Sequence, residues 1–277
     1  MKQIVLPGGE SVPALGLGTW CIGDERKLRG EEIATLQLAL DLGLRLIDTA
    51  EMYGEGRAES LIGEALLGRR DEAFIVSKVY PHNASRRDAV AACERSLRRL
   101  RTEHIDLYLL HWRGSVPLQE TLEAFLALQA AGKIRHFGVS NFDLDDMREW
   151  AALDGAAATA TNQVLYNLGR RGVEWDLLPW QRARSMPLMA YSPIEQGRLL
   201  RERKLIDFAA RHGFSPSQAA LAWLLAQEDV IVIPKTGQRQ RLRENLAAAE
   251  IQLDAAQLAE LEHLYPAPRG AVPLAML

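Results

Sequence analysis

The sequence of 277 residues lacks the features that mark several large classes of protein. No apolar run approaches the roughly 18 residues needed to cross a bilayer, and the N-terminus, MKQIVLPGGESVPAL, has no continuous apolar core of the kind found in signal peptides. The formal net charge of −3 argues against indiscriminate binding to nucleic acid or to anionic membranes. We therefore expect a cytoplasmic globular protein that binds neither nucleic acid nor membrane.

Cysteine is also scarce. Only Cys21 and Cys93 are present, and no cluster of Cys and His residues has the spacing of a zinc site. The two thiols could form one disulfide, but a chain of this length needs none to be stable, so we expect both to be reduced. We also expect no bound metal.

What the sequence does contain is a regular alternation of apolar and amphipathic segments. The apolar segments are too continuously apolar for half-exposed strands, and they suit strands that are covered on both faces. Eight of them are found: 14–20, 44–50, 73–79, 104–112, 134–141, 160–166, 187–193 and 230–236.

The segments between these strands have the periodicity of helices. Residues 86–100 place their apolar side chains on one stripe, and residues 118–133 do the same and end near Gly132, a plausible helix C-cap. Eight strands that alternate with helices at roughly 30-residue intervals predict an α/β protein, a (β/α)8 TIM barrel. Residues 3–15 predict a small β-hairpin across the bottom of the barrel. We expect one domain over residues 1–277, because no linker or change in composition divides the chain.

Two glycine-containing stretches suggest a dinucleotide-binding Rossmann fold as an alternative. The stretch GLGTWC, residues 16–21, begins like the glycine fingerprint but ends in Cys21, and no helix clearly starts there. The stretch GEGRAE, residues 54–59, has two glycines and nothing further of the motif. Both are better interpreted as turns at strand ends.

Four polar side chains fall at the C-terminal ends of consecutive predicted strands, where barrels carry their chemistry. They are Asp48 and Tyr53 after the second strand, Lys78 in the third and His111 at the end of the fourth. A buried Asp and a buried Lys are each costly alone, so we expect them to pair. A cation beside a phenol favours phenolate, which predicts a lowered pKa for Tyr53. Alone, each residue would be interpreted as a cap, rim or core residue; together they indicate an acid–base site.

The chain resembles the aldo-keto reductases from its hairpin to about Tyr265. The segments that carry the resemblance are GLRLIDTAEMYGEGRAESLIGEAL, SKV, LYLLHW, GVSN, NQV, AYSP and IPKT followed by RLREN. Within the family, the likeness is greatest to bacterial methylglyoxal reductases. The resemblance implies that Tyr53 donates a proton, that Lys78 and Asp48 assist it, and that His111 orients the substrate carbonyl.

The resemblance also implies NADP(H) as the cofactor and a set of residues that bind it. Residues at two strand ends are expected to bind the nicotinamide amide, and Tyr191 is expected to stack on its ring. With the rest of the AYSP motif, this group comprises Ser140, Asn141, Gln163, Tyr191, Ser192 and Pro193.

The later segment IPKTGQRQRLREN is expected to bind the adenosine end of the cofactor. Lys235 and Thr236 lie where a helix should begin, which is a natural anion site. Arg241, Glu244 and Asn245 are spaced to share one helical face. In the family, the matching Lys, hydroxyl residue and Arg bind the 2′-phosphate, and the matching Glu and Asn bind adenine. A nucleic-acid patch is a poorer reading of these arginines, because the overall charge is negative.

Four large side chains just past the first four strands should wall the carbonyl pocket: Trp20, Met52, Tyr80 and Trp112. The connection after the fourth strand and the tail after Tyr265 are short, so we expect a shallow, open pocket for small aldehydes and α-dicarbonyls, in a monomer. Two alternatives stay open: a Schiff-base lyase with Lys78 as nucleophile, and a sensor or regulatory subunit that binds NADPH with little turnover.

Overall fold

An antiparallel hairpin opens the chain in the computed structural model, which describes residues 1–277. It consists of β1 (Gln3–Val5) and β2 (Ser11–Pro13), which pair through Ile4 and Val12. Its apolar side chains are buried together with residues from the interior of the barrel described below. Glu10 accepts a hydrogen bond of 2.6 Å from His136, which lies near the start of a barrel strand. The hairpin therefore covers the N-terminal end of the barrel, as the sequence predicts.

Eight parallel strands form the second sheet, and neighbours in the chain are neighbours in the sheet. They are β3 (Leu17–Gly18), β4 (Leu46–Asp48), β5 (Phe74–Val79), β6 (Ile105–Leu110), β7 (Ile134–Ser140), β8 (Asn162–Leu165), β9 (Leu188–Tyr191) and β10 (Val230–Val232). Parallel bridges from Leu15 to Val232 and from Gly18 to Lys235 join the first strand to the last. The predicted (β/α)8 barrel is confirmed, and each strand lies inside its predicted segment.

Glycine makes this seam between β3 and β10 possible. A Cβ atom on Gly16 would lie 2.4 Å from the Leu46 side chain, and one on Gly18 would lie 3.0 Å from the Ile233 carbonyl oxygen. A Cβ atom on Gly16 would also lie 3.2 Å from the Ile233 side chain, so a larger residue at either position would require its neighbours to shift. The glycines of GLGTWC therefore serve the close approach of backbones in a barrel rather than a dinucleotide turn.

Ten helices surround the strands. Four of them begin at a Ser or Asp side chain that caps the helix, and the caps of α8 and α10 are complete capping boxes at Ser215 and Asp254. The helices are α1 (Arg29–Asp41), α2 (Arg57–Ala65), α3 (Arg86–Leu100), α4 (Leu118–Ala130), α5 (Leu144–Ala151), α6 (Leu177–Arg182), α7 (Arg203–His212), α8 (Pro216–Ala226), α9 (Arg239–Ala247) and α10 (Ala255–Leu264). None of them has the length and apolar character that spanning a membrane requires.

The core has two layers because the strands are covered on both faces. The larger layer fills the space between strands and helices, and the smaller one fills the barrel interior below its mouth. Every residue of β5 and β6 is buried, which accounts for their continuous apolar sequence. Polar side chains on these strands therefore need partners, and the mouth of the barrel supplies them.

Candidate active site

The C-terminal ends of β4, β5 and β6 bring the predicted acid–base residues to one mouth. Asp48 is the last residue of β4, Lys78 lies near the end of β5, and His111 follows β6. All three side chains are buried, and Lys78 is completely so. Tyr53 joins them from a loop in which Gly54 and Glu55 both have positive φ, a turn that returns the chain to the mouth.

The ammonium group of Lys78 is the centre of this arrangement. Its Nζ lies 2.8 and 2.9 Å from the two carboxylate oxygens of Asp48 and 2.8 Å from the carbonyl oxygen of Thr49. It also lies 3.2 Å from the hydroxyl oxygen of Tyr53. Burial lowers the pKa of Lys78, and the charge of Asp48 opposes that effect. With every N–H engaged and no exposure, Lys78 is poorly suited to attack a substrate as a nucleophile.

The pKa of Tyr53 differs from the prediction. Burial raises it well above its usual value, and the charge of Asp48 adds to this effect. The expectation of a lowered pKa is wrong for this arrangement, because burial and the charge of Asp48 both disfavour the phenolate. The consequence is a phenol that keeps its proton at neutral pH.

His111 completes the group as a neutral imidazole. Burial and the nearby charge of Lys78 lower its pKa to about 2. Its ring lies edge-on to that of Tyr53 with centroids 5.9 Å apart, and its Nδ1 is buried without a hydrogen-bond partner. A neutral imidazole carries one N–H, which can donate to an oxygen atom placed beside the phenol.

Aromatic rings form one wall beside His111. Trp112 lies 4.9 Å from His111 between ring centroids, and Tyr80 lies 5.8 Å from Trp112 and nearly perpendicular to it. Met52 is half-buried in the loop that carries Tyr53. Trp20 is 45% exposed, takes part in no aromatic pair and follows Thr19, which hydrogen-bonds the Asp48 carbonyl oxygen. The structure thus gathers Tyr80 and Trp112 at the acid–base group.

The residues predicted for the nicotinamide form a hydrogen-bonded network across β7, β8 and β9. Gln163 donates to Asp48 Oδ1 at 2.7 Å, and Asn141 donates to the His111 carbonyl oxygen at 3.0 Å. The Tyr191 hydroxyl donates to Asn141 Oδ1 at 3.0 Å, and the Ser140 hydroxyl donates to the Gln163 carbonyl oxygen at 2.8 Å. The network therefore joins these residues directly to the acid–base group.

The remaining residues of the AYSP motif form the turn after β9. Ser192 has φ of 47°, in the left-handed region, and its carbonyl oxygen accepts a hydrogen bond of 3.0 Å from Asn167. Pro193 is buried. Asn167 in turn donates to Glu195 at 2.7 Å, so a buried amide and carboxylate hold the turn in place. A strained backbone held this firmly is typical of ligand-binding turns.

The chain segment after β10 carries two cations that have no carboxylate partner. Lys235 and Arg241 are exposed and form no ion pair, whereas the nearby Arg239 pairs with Glu31. Thr236 is buried, and its hydroxyl oxygen accepts a hydrogen bond of 3.1 Å from the Gln238 N–H at the start of α9. Two unpaired cations beside a helix start suit a phosphate group.

Glu244 and Asn245 lie further along α9, and Asn245 is buried. The hydroxyl groups of Ser215 and Ser217 both donate to Oε1 of Glu244, at 2.6 and 2.7 Å, and lower its pKa. Neither serine contacts the second carboxylate oxygen. The sequence analysis missed these two serines; the SPSQ cap of α8 was the signal that could have found them.

Glu51 is a third residue that was not predicted from the sequence. It is buried beside the mouth and accepts hydrogen bonds from the Tyr80 N–H at 2.8 Å and from the Asn83 side chain at 3.0 Å. It therefore fixes the loop that presents Tyr80. A carboxylate three residues after Asp48, in the same loop as Tyr53, was the available signal.

The C-terminal tail after Tyr265 packs back against the barrel. Arg171 donates to the Tyr265 carbonyl oxygen, and Leu274 packs against the outer core. A Cβ atom on Gly172 would lie 2.7 Å from the side chain of Val272, so glycine there lets the tail pass. The tail therefore crosses the loop after β8, and the expectation of a shallow, open pocket stays a prediction.

The site lies at the C-terminal mouth of a (β/α)8 barrel and places a buried Lys–Asp pair next to a protonated phenol and a neutral imidazole. This arrangement is that of an acid–base enzyme of the (β/α)8 class. Comparison with known proteins makes the class specific. The sequence profile of the Aldo/keto reductase family matches residues 14–266. This chain belongs to the aldo/keto reductase family, and the prediction of an oxidoreductase is confirmed.

Individual relatives cover almost the whole chain. Methylglyoxal reductase YeaE of Escherichia coli (strain K12) is 49% identical over 281 residues, covering 100% of this chain and 99% of the relative. Methylglyoxal reductase DkgB of Salmonella typhimurium is 32% identical and covers 88% of this chain and 90% of the relative. The crystal structure of an aldo/keto reductase from Klebsiella pneumoniae in complex with NADP and acetate has a TM-score of 0.97 and 45% identity, covering 100% of this chain and 99% of that one.

Proposed function

We propose that this protein uses NADPH to reduce small aldehydes and α-dicarbonyls, such as methylglyoxal, to alcohols. The observation that carries the proposal is the position of Lys78 Nζ, which contacts both Asp48 and the hydroxyl of Tyr53. The names of the relatives support the substrate class, and the NADP in the Klebsiella pneumoniae structure supports the cofactor.

Tyr53 is the proton donor in this proposal. A phenol is protonated at neutral pH, and burial raises the pKa of Tyr53 further, so the proton is present when a carbonyl oxygen becomes basic. The phenolate left behind faces the ammonium group of Lys78 at 3.2 Å, which stabilises its charge. Asp48 holds Lys78 in that position through two hydrogen bonds.

His111 orients the carbonyl. As a neutral imidazole it can donate one hydrogen bond to the carbonyl oxygen, and it does not compete with Tyr53 as an acid, because its pKa is about 2. A donor in a water-poor mouth gains strength as negative charge develops on the oxygen. Tyr80 and Trp112 limit the adjacent space. This favours a small substrate.

The chain has residues that fit NADPH at both ends. Lys235, Thr236 and Arg241 offer two unpaired cations and a hydroxyl group to the 2′-phosphate, and Glu244 has one carboxylate oxygen free for adenine. Asn141 and Gln163 present amides beside the acid–base group. The nicotinamide would supply a hydride to the carbonyl carbon.

We further propose that the protein acts as a single-domain monomer in the cytoplasm. All four acid–base residues come from one chain, so the site is complete without a partner subunit. Both cysteines are unpaired, which suits a reducing compartment.

Steady-state assays of a panel of aldehydes with NADPH test the function. We expect turnover with methylglyoxal and other short aldehydes, and weaker turnover with bulky ketones. Tight NADPH binding without turnover of any carbonyl would instead identify a sensor or regulatory subunit.

A further inference from the structure

A basic cleft lies on the outside of the barrel between α2 and α3. It has a volume of about 460 Å³ and is lined by five residues, none of them hydrophobic: Ser60, Arg95, Arg98, Arg99 and Arg101. We call this the arginine cleft. Four guanidinium groups around one space are unusual on a protein whose net charge is −3.

Carboxylates neutralise only half of this charge. Arg99 donates to the buried carboxylate of Glu59 at 2.6 Å, and Arg95 lies 3.7 Å from Glu51. Arg98 and Arg101 form no ion pair, although Glu94, which pairs with Lys133, and Glu103 line the adjoining depression with them. Two positive charges therefore remain in the arginine cleft, and their mutual repulsion would be relieved by an anion.

The guanidinium group of Arg99 is held in a fixed position. Besides its contact with Glu59, it donates to the Ser96 hydroxyl at 3.1 Å, and its side chain lies against Gly56, where a Cβ atom would be 2.5 Å away. Glu59 is completely buried and accepts a second hydrogen bond, of 2.6 Å, from Ser77. One wall of the arginine cleft is thus preorganised, which reduces the entropic cost of binding a ligand.

Arg101 ends α3 with its backbone in the left-handed region. It follows the last turn of α3 with φ of 55° and ψ of 44°, the left-handed conformation in which helices usually place glycine. A non-glycine residue there is strained. Glycine would relieve the strain but would remove a guanidinium group from the arginine cleft.

We propose that the arginine cleft binds a compact anion with two or more phosphoryl groups and no large apolar part. Guanidinium groups match phosphate oxygens in paired hydrogen bonds, and the Ser60 hydroxyl can add another donor. The absence of hydrophobic lining gives a nucleobase or an acyl chain nothing to pack against. The cleft lies beside β4 and β5, whereas Lys235 and Arg241 follow β10, so the ligand is not the cofactor's 2′-phosphate.

Calorimetric titration of tripolyphosphate into the full chain saturated with NADP+ tests the proposal, with inorganic phosphate as a second probe. We compare the wild type with Arg98→Gln/Arg101→Gln and with Arg98→Lys/Arg101→Lys. The matched control, Arg45→Gln/Arg87→Gln, removes the same charge from two other exposed arginines that form no ion pair.

We expect one tripolyphosphate per chain at 0.15 M salt and weaker binding of phosphate. The glutamine variant should bind at least about tenfold more weakly, and the control within about twofold of wild type. The affinity of the lysine variant should lie between those of the glutamine variant and the control, because lysine keeps the positive charge but cannot form the paired hydrogen bonds of a guanidinium group. All variants should retain the wild-type melting temperature and reductase activity. No binding by the wild type, or equal losses in the glutamine variant and the control, would overturn the proposal.

Discussion

Replacing Arg241 by alanine should weaken NADPH binding about tenfold and leave NADH binding unchanged. A charge-assisted hydrogen bond contributes roughly 1.5–3 kcal/mol, and the exposure of Arg241 places its contribution at the lower end. About 1.4 kcal/mol corresponds to a factor of ten in affinity. Lys235 is equally exposed and unpaired, so the two cations together predict that the wild type prefers NADPH by at least about a hundredfold.

Dissociation constants for both cofactors, measured by fluorescence titration, give the test. The preference should shrink when salt rises from about 0.05 to 0.5 M, because the two cations are in solvent and the ionic atmosphere screens them. Lys235→Ala should reproduce the effect of Arg241→Ala, and the double variant should bind the two cofactors with similar affinity.

Arg243→Ala is the matched control, since Arg243 lies two residues further along α9 and is also exposed. Its effect on NADPH binding should stay within about twofold, because it lies on a different face of the helix. Equal affinity of the wild type for NADH and NADPH would show that this segment is not a phosphate site. If Arg243→Ala lost as much NADPH affinity as Arg241→Ala, the change in net charge alone would account for both losses, and Arg241 would make no specific contact with the phosphate.

Three further predictions concern the acid–base residues. Tyr53→Phe should lower kcat/KM more than about tenfold with NADPH affinity unchanged, and a smaller loss in steady-state assays would remove Tyr53 as the acid. Lys78→Met should be nearly inactive and, since it leaves Asp48 buried without its partner, should lose about 3 kcal/mol of unfolding free energy in urea; full activity would contradict the ion-pair argument. Because the pKa of His111 is lowered from 6.5 to about 2, the unfolded chain gains a proton below pH 6.5 that the folded protein does not. As the pH decreases below 6.5, the unfolding free energy should therefore decrease by up to about 1.4 kcal/mol per pH unit. Urea titrations between pH 7 and 5 should show a smaller decrease in His111→Asn than in the wild type.

Much of the fold follows from periodicity and strand character. The continuous burial of β5 and β6 is visible in their sequences, and consecutive βα units leave few topologies other than a barrel. The meeting of Asp48 and Lys78 follows from that topology, because parallel neighbours end at the same mouth.

The features that were not predicted depend on tertiary enclosure. The pKa of Tyr53 is raised by the burial of its hydroxyl, which sequence spacing does not reveal. The serine contacts of Glu244 join residues that lie on different helices, α8 and α9. The path of the tail depends on Arg171 and on the lack of a side chain at Gly172. Both residues lie far from the tail in sequence, so the sequence of the tail alone does not predict its path.

The glycine-lined seam has a consequence for synthesis on the ribosome. Since β3 is bonded to β10, the cylinder closes only when almost the entire chain has emerged. Until then β3 and the most recently formed strand present unpaired edges, which are sites of aggregation in a nascent chain. A bulky residue at Gly16 should consequently lower soluble yield during expression before it affects the catalytic properties of molecules that do fold.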